Sequence, residues 1–531
     1  MTENSHAARY QRLIELGIAL SAERDHNRLL EKILLGAKEM AEADGGTLYL
    51  RQDDSLAFAI LRNDSLGIAK GGTTDEAIPF APLQMYGPDG TPNHNNVCTH
   101  VALTGELVTI ADAYDAEGFD FSGTRTFDAS TGYRSRSFLT VPLKRQDDRV
   151  IGVLQLINAL DPATGEPVPF DPERVPLVEA LASQAAVALN NQQLIEAQRR
   201  LLDSFIRVIA DAIDAKSPYT GGHCKRVPVV ANMLAQAAHD ADSGPLAGFY
   251  LGPDDAYEIN MAAWLHDCGK IVTPEYVMDK GTKLEALTDR METVRTRYEV
   301  LRRDALIEYY REGGADDPAA ADALEARLRT LDDELSFLEG ANKGGEFLPD
   351  DTVARLEAIA ERRWRDAAGE ARPVLSADEV YHLSIRRGTL TPEEYQVIKD
   401  HVSHSIAMLE KLPFPEHLKR VPEYAGGHHE RLDGKGYPRG LTAEELSTPA
   451  RIMAIADVFE ALTAADRPYK TPKTLSEALK ILGFMAKDRH IDPALFRLFV
   501  ESGIWRDYAE QYLKPEQLDS VDTDAVLAQV A

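Results

Sequence analysis

The sequence predicts a multidomain protein: an N-terminal α+β domain with an antiparallel sheet flanked by helices, a long connecting helix, and a C-terminal all-α helical bundle with an inserted helical hairpin. Three observations predict this. Short strand-like runs separated by turn clusters fill residues 46–160, apolar residues recur at heptad spacing over residues 178–213, and beyond Lys216 the chain reads as helix with no run of alternating strands. A chain of 531 residues is also too long for one ordinary core.

Residues 1–25 hold an N-terminal helix, "YQRLIELGIALSAE", and a second amphipathic pattern, "LLEKILLGAKEMAEA", opens the domain at 26–171. The strands follow as "GTLYLRQ", "SLAFAILRN", "LVTIADA", "RSFLTVPLKR" and "RVIGVLQLINAL", with "RNDS", "GPDGTPN" and "RQDD" as turns between them. Residues 172–203 form the connecting helix. Val178, Leu181, Ala185, Ala188, Gln192, Ile195, Arg199, Leu202, Ile206, Ile209 and Ile213 make a seam with two polar interruptions. Two readings fit it, a helix packed intramolecularly and the preferred one, a parallel dimer helix. The C-terminal domain covers 204–505. Its insertion at about 284–371 is rich in Ala, Leu, Arg and Glu and lacks histidine, which suits a solvated scaffold better than a site. Residues 506–531 read as an acidic tail.

Lys plus Arg number 58 and Asp plus Glu 86, a net charge of −28 that repels phosphate backbones and anionic lipid, so neither nucleic acid nor membrane is expected as a partner. No window reaches about eighteen consecutive apolar residues, and "MTENSHAARY" lacks the plan of a signal peptide. A cytoplasmic protein is expected. Cys98, Cys224 and Cys268 are too few and too scattered for a disulfide framework or a thiolate zinc site.

The chemistry concentrates in the C-terminal domain. His223 lies in "YTGGHCKRV", His266 and Asp267 in "LHDCGK", His401 in "IKDHVSHS", His428 and His429 in "GGHHERLDGKGYP", and Asp457 in "RIMAIADVFEAL". Any one histidine has a dull explanation as a hydrogen-bonded core residue. Asp457 does not, because an ionised carboxylate on an apolar helix face is costly unless paired or bound to a cation. Imidazoles and carboxylates without thiolates suit Fe, Mn or Zn, and adjacent His-Asp and His-His pairs suit two ions better than one. Two such ions supply an activated water and charge stabilisation for displacement at phosphorus. Lys270, one turn after His266 and expected on the same helical face, can neutralise a phosphate oxygen. Gly269 is expected to leave room for that phosphate, and Cys268 to pack.

"HDCGK" followed by "HHERLDGKGYP" resembles the paired signature of the HD-GYP family, a branch of the HD-domain phosphohydrolases. The resemblance runs from about Ser204 to Trp505 and includes "GTLTPEEYQVIKDH", "ARIMAIADVFEAL" and "RPYK". It implies a helical fold whose metal centre hydrolyses the bacterial second messenger cyclic di-GMP. By position the metal ligands are His223, His266, Asp267, His401, His428, His429 and Asp457, with Asp267 bridging. Lys270, Arg467 and Lys470 are then similar to residues that contact phosphate, and Gly436, Tyr437 and Pro438 form a loop beside the site. Tyr219 stands where three-metal members carry Glu, which implies two ions, Fe or Mn. His404 matches nothing in the signature.

The stretch "HVALTGELVTIADAYDAEGFDFSGTRTFDASTGYRSRSFLTVPLKRQDDRVIGVLQLINA" resembles a GAF domain, a small-molecule sensing fold with a six-stranded antiparallel sheet between helices. Asn158 and Phe170 match the signature of cyclic-nucleotide-binding members, but Ala159 replaces its Lys. A sensor for an unknown small molecule and a domain that only dimerises both fit. The resemblances together imply a homodimeric cyclic di-GMP phosphodiesterase regulated by its GAF domain; a signalling protein docked on the insertion is a partner under the scaffold reading. A hydrolase of another cyclic dinucleotide or nucleotide, and a non-catalytic receptor or scaffold, stand beside it.

Overall fold

A computed structural model describes residues 2–74, 76–216, 222–345, 347–465 and 472–530. It divides into two compact units, Met1–Leu202 and Asp203–Ala531. Among the described residues no helix is long and apolar enough to cross a membrane.

The first unit opens with helices α1 (Thr2–Ala22) and α2 (His26–Ala41). Asp25 caps α2 by accepting from Arg28 N. Strands β1 (Ala43–Gln52), β2 (Ser55–Asn63), β3 (Ile68–Gly71) and β4 (Leu83–Gln84) precede helix α3 (Val97–Thr104), strand β5 (Val108–Ile110) and helix α4 (Ser122–Thr131). Strands β6 (Phe138–Lys144), β7 (Val150–Leu160) and β8 (Pro167–Val168) complete an antiparallel sheet ordered β3-β2-β1-β7-β6-β5, with β4 beside β2 and β8 beside β7. The register sets Leu48 opposite Leu154 and Leu139 opposite Leu156. Side chains on a strand alternate between faces, so these leucines form one apolar face that packs with Ile33 and Leu34 of α2. Thr47, Tyr49, Gln155 and Ile157 lie at the alternate positions and line a cavity.

Helix α5 (Val175–Lys216) is 42 residues long. The seam expected for a second copy is used only in part within the chain: Val178, Leu181 and Ala185 are buried in the leucine core and Ile206 and Ile213 in the second unit, while Ile195 and Ile209 are exposed at 56% and 40%. A different heptad stripe faces outward, with Val187, Leu194, Leu201 and Val208 exposed at 47%, 56%, 58% and 64%. The helix carries apolar residues on more than one face, and spacing alone does not say which face is taken.

In the second unit α6 (His223–His239) packs against α7 (Pro253–Leu265). A short α8 (Glu275–Met278) leads into α9 (Met291–Arg311), α10 (Pro318–Asn342) and α11 (Asp350–Ala360), which share a core around Tyr298, Leu338 and Leu356. Almost everything after Lys216 is expected to be helix, with no run of alternating strands; a short two-stranded hairpin, β9 (Arg363–Arg365) with β10 (Ala371–Pro373), closes this region before α12 (Ala377–Leu383). Its turn, "DAAGE", was hidden between charged residues that suit a helix equally well. Buried Lys280 donates to Glu394 at 2.7 and 2.8 Å where the region rejoins the bundle.

Then come α13 (Pro392–Leu409), α14 (Val421–Gly426), α15 (Thr448–Thr463), α16 (Leu475–Lys487), α17 (Pro493–Glu501) and α18 (Ile504–Tyr512). Thr391 and Glu394 form a capping box with Pro392 at the first helical position of α13, which fixes where that helix starts. The stretch expected as an acidic tail is folded: Gln517 Nε2 donates to Thr463 O and Lys473 O, and α19 (Thr523–Leu527) packs on α16 and α17.

Candidate metal centre

Five elements of the second unit bring the predicted ligands together. His223 is the first residue of α6, His266 follows the last residue of α7, His401 lies on α13, His428 and His429 follow α14, and Asp457 lies on α15. They form two clusters in which all ligand atoms lie within 4.8 Å of one another, His223 with His266 and Asp457, and His401 with His428 and His429, and a third group on the same criterion, His266 with Asp267 and His428, links them. Asp267 sits between them. Its Oδ2 is 3.4 Å from His223 Nε2 and 3.3 Å from His266 Nε2, while its Oδ1 is 3.2 Å from His401 Nε2 and 3.9 Å from His428 Nε2.

The histidines are aimed by their other ring nitrogens. Nδ1 of His266 donates to Ala263 O at 2.8 Å, that of His401 to Ile398 O at 2.5 Å, and that of His428 to Ala425 O at 2.5 Å. Each bond is to the carbonyl three residues back, so the local helical turn orients the ring and aims Nε2 inward. Nε2 of His266, His401 and His428 and Oδ1 of Asp267 are buried without a hydrogen-bond partner. Each orphaned buried atom costs about 1–3 kcal/mol, and four of them in one buried site fit cations that take lone pairs. These residues therefore suit a divalent metal on the donor chemistry alone.

Two carboxylates outside the expected ligand set, Glu460 and Glu430, position its residues. Glu460, one turn beyond Asp457 and wholly buried, accepts from His223 Nδ1 and from Arg226 Nε at 2.6 Å. The signal was available: two acids at i and i+3 on one apolar face of "ADVFEAL". Glu430 accepts from Arg439 N at 2.7 Å and Leu441 N at 2.9 Å, tying down the loop after the histidine pair. Glu460→Gln preserves shape but removes the charge behind His223, and is expected to weaken metal binding about 10–100-fold, read by titration of the metal-free protein.

Burial works against every charge here, and the neighbours decide the outcome. For His266 burial is outweighed by Asp267 and Asp457, which raise the imidazole to about 9. For His429 burial prevails and lowers it to about 4, and His428 is likewise held well below its ordinary value. Burial would raise the carboxyls of Asp267 and Asp457, yet the surrounding imidazoles hold both well below the usual range.

Lys270 and Gly269 differ from expectation. Helix α7 ends at Leu265, and Cys268–Ile271 form a separate 3₁₀ turn, so Lys270 does not share a helical face with His266. Its Nζ instead reaches back to Asp267 Oδ2 at 2.5 Å. A Cβ on Gly269 would lie 2.0 Å from His401 O and 2.5 Å from Ser405 N, so this glycine seats the turn on α13 rather than making room for phosphate. Gly269 N donates to Ser405 Oγ at 2.8 Å across the same contact. Cys268 is buried there. His404 is exposed.

The loop expected beside the site is there. Tyr437 stacks on His429 with centroids 4.8 Å apart and planes at 26°, and joins Pro438 by a cis peptide bond. A Cβ on Gly436 would come within 2.4 Å of Arg431 N, so the loop closes only with glycine. Arg467, Lys470 and Tyr219 lie outside the described residues.

Residues 25–189 match the GAF domain family and residues 376–495 the HD domain family. Three curated relatives are similar. 3′3′-cGAMP-specific phosphodiesterase 1 of Vibrio cholerae serotype O1 is 40% identical over 125 residues, 24% of this chain and 27% of the relative. 3′3′-cGAMP-specific phosphodiesterase 3 of the same organism is 24% identical over 371 residues, 66% of this chain and 54% of the relative. A cyclic di-GMP phosphodiesterase of Thermotoga maritima is 43% identical over 96 residues, 18% of this chain and 26% of the relative. The chain thus spans less than two thirds of each relative's own length. With the two family matches and the histidine clusters in place, this is a protein that joins a GAF domain to an HD domain.

Proposed function

We propose that the chain is a two-metal cyclic dinucleotide phosphodiesterase, with cyclic di-GMP as its substrate. The observation that carries this reading is Asp267, whose two oxygens face two separate histidine clusters. His223, His266 and Asp457 would hold one ion, His401, His428 and His429 the other, and Asp267 both; the ions are Fe or Mn. Bound there, the pair supplies the activated water and the positive charge that phosphodiester hydrolysis needs. Lys270, next to Asp267, donates to a phosphate oxygen and offsets charge that develops on it. Tyr437, stacked on His429, walls the side where a guanine base would lie.

A second reading, 3′3′-cGAMP as substrate, is favoured by the names of two of the relatives. Metal-loaded protein incubated in parallel with cyclic di-GMP and 3′3′-cGAMP, with products resolved by chromatography, separates the readings. Faster loss of cyclic di-GMP supports the first, and no turnover of either by folded, loaded protein refutes both.

Metal loading has an expected pH signature. With its imidazole at about 9, His266 carries a proton at pH 7 that must leave before Nε2 can bind an ion. Adding Mn²⁺ to metal-free protein in weak buffer at pH 7 is expected to acidify the solution. Below pH 9 the apparent affinity should fall by about tenfold per pH unit for each proton displaced.

The GAF domain is proposed to regulate the site through α5 in a homodimer. The exposed stripe of Val187, Leu194, Leu201 and Val208 is the surface for the second copy. Leu194→Glu with Leu201→Glu is expected to raise the dimer dissociation constant roughly a hundredfold or more, as read by sedimentation. A variant that stays dimeric places the interface elsewhere.

A further inference from the structure

The last turn of α5 lies in the second unit and bonds to the two segments that carry Asp267 and His223. We propose that Lys216, the final residue of α5, is a positioning residue that holds the turn bearing Asp267 and Lys270 in place for metal binding. The inference rests on the reading of that centre as a metal site, and it names the contact through which α5 acts on it.

The end of α5 is itself fixed. Ile206, Ala210 and Ile213 recur at four and three spacing and are all buried, so one face of this stretch is packed within the second unit. Near its start Asp203 Oδ1 accepts from Tyr257 OH of α7 at 2.8 Å. About 20 Å of helix further on, at 1.5 Å per residue, stands Lys216.

Lys216 Nζ donates to Lys270 O at 3.1 Å, to Thr273 O at 2.6 Å and to Ile271 O. An ammonium has three donors, and all three go to this one stretch. The stretch needs them. A helical turn leaves its last carbonyls without backbone partners, and here Pro274 stands where the next N–H would close on Ile271 O. A cation at the carbonyl end also meets the negative pole of the turn.

The other side of the turn is seated on α13 through Gly269 N and Ser405 Oγ. Held from both sides, the turn has one placement, and Asp267 shares it because Lys270 N donates to Asp267 O at 2.9 Å. The last turn of α5 makes a second contact of this kind. Asp214 Oδ2 accepts from Gly222 N at 2.9 Å, and the next residue is His223. One helical turn therefore holds the backbone beside a ligand of one cluster and beside the carboxylate that faces both.

A lysine that only fastened a helix end would matter for stability alone. Tyr257→Phe measures that lesser role, since it cuts another bond of α5 at the end of α7 far from His266. Titration of the metal-free full chain with Mn²⁺, followed by the electron paramagnetic resonance signal of the free ion, tests the inference without reading turnover. Lys216→Met keeps the length and removes the donors, and is expected to weaken Mn²⁺ binding about tenfold or more, whereas Tyr257→Phe should change it by less than about threefold. Lys216→Cys should weaken binding as Lys216→Met does. Treatment with 2-bromoethylamine, in which the new thiolate displaces bromide and leaves an S-aminoethyl side chain of lysine's length, should then restore it. Cys98, Cys224 and Cys268 are buried, so the single adduct, confirmed by mass, falls on position 216. This rescue carries the test if Lys216→Met loses its far-ultraviolet circular dichroism. Unchanged Mn²⁺ binding in Lys216→Met, an equal loss in Tyr257→Phe, or no recovery on aminoethylation of Lys216→Cys overturns the inference. Parent protein that takes up no Mn²⁺ refutes the metal-centre reading itself, so the two failures are told apart.

Discussion

Asp267→Asn is expected to lower cyclic dinucleotide turnover by about a thousandfold or more and to cut metal content, with the fold intact. Asparagine has the same size and keeps one carbonyl oxygen. It replaces the other oxygen with an amide N–H₂, which cannot act as a ligand, and it removes a charge shared by two clusters. Asp267 reaches both, His223 and His266 through Oδ2 and His401 and His428 through Oδ1, all within 4 Å. Loss of a shared anionic ligand removes several kcal/mol of stabilisation from the charge that develops at phosphorus, and about 4 kcal/mol is a thousandfold in rate. Glu460→Gln acts on a single ligand from behind and should cost one or two orders of magnitude less. Chromatographic turnover and metal analysis of the same preparations test this, and an Asp267→Asn protein with normal metal content and normal turnover removes Asp267 from the bridging role.

The clustered histidines and acids were legible because their chemistry is: His266 beside Asp267, His428 beside His429, and Asp457 on an apolar face each stand out from a purely structural reading. What surrounds them was less legible. Glu460 looks like any helix acid until α6 and α15 are seen to meet, because its partner His223 lies 237 residues away. The faces of α5 are less legible because periodicity reports that a face is apolar and not what covers it. Val178 and Leu181 go to the sheet, while Val187 and Leu194 stay outside. The strands of the first unit were readable from alternation, and its registers and cavity were not, since they depend on pairings far apart in sequence. Gly269 shows the same limit. A glycine behind an HD pair suggests access for a ligand, and only the approach of α13 shows that the space is already filled.

That approach sets a second large effect. Gly269→Ala is expected to destabilise the second unit by about 3 kcal/mol or more and to displace His401. The new methyl group would sit 2.0 Å from His401 O, 2.5 Å from Ser405 N and 2.9 Å from Ser405 Oγ. Two of these atoms are backbone, so no rotamer change relieves the collision and the 3₁₀ turn and α13 must separate. Overpacking of a buried contact costs about 1–3 kcal/mol when side chains can give, and more when backbone must move. Separation also opens the Gly269 N to Ser405 Oγ bond and shifts a ligand of one cluster away from Asp267. Gly340→Ala is the matched control. That glycine lies inside α10, is exposed, and has no neighbour within 4 Å of the added carbon. There the same substitution only removes the conformational cost of glycine in a helix, and stability should rise by about 0.5–1 kcal/mol. Denaturant unfolding of the two variants should therefore move in opposite directions, and a Gly269→Ala protein as stable as the parent would mean that the turn does not rest on α13.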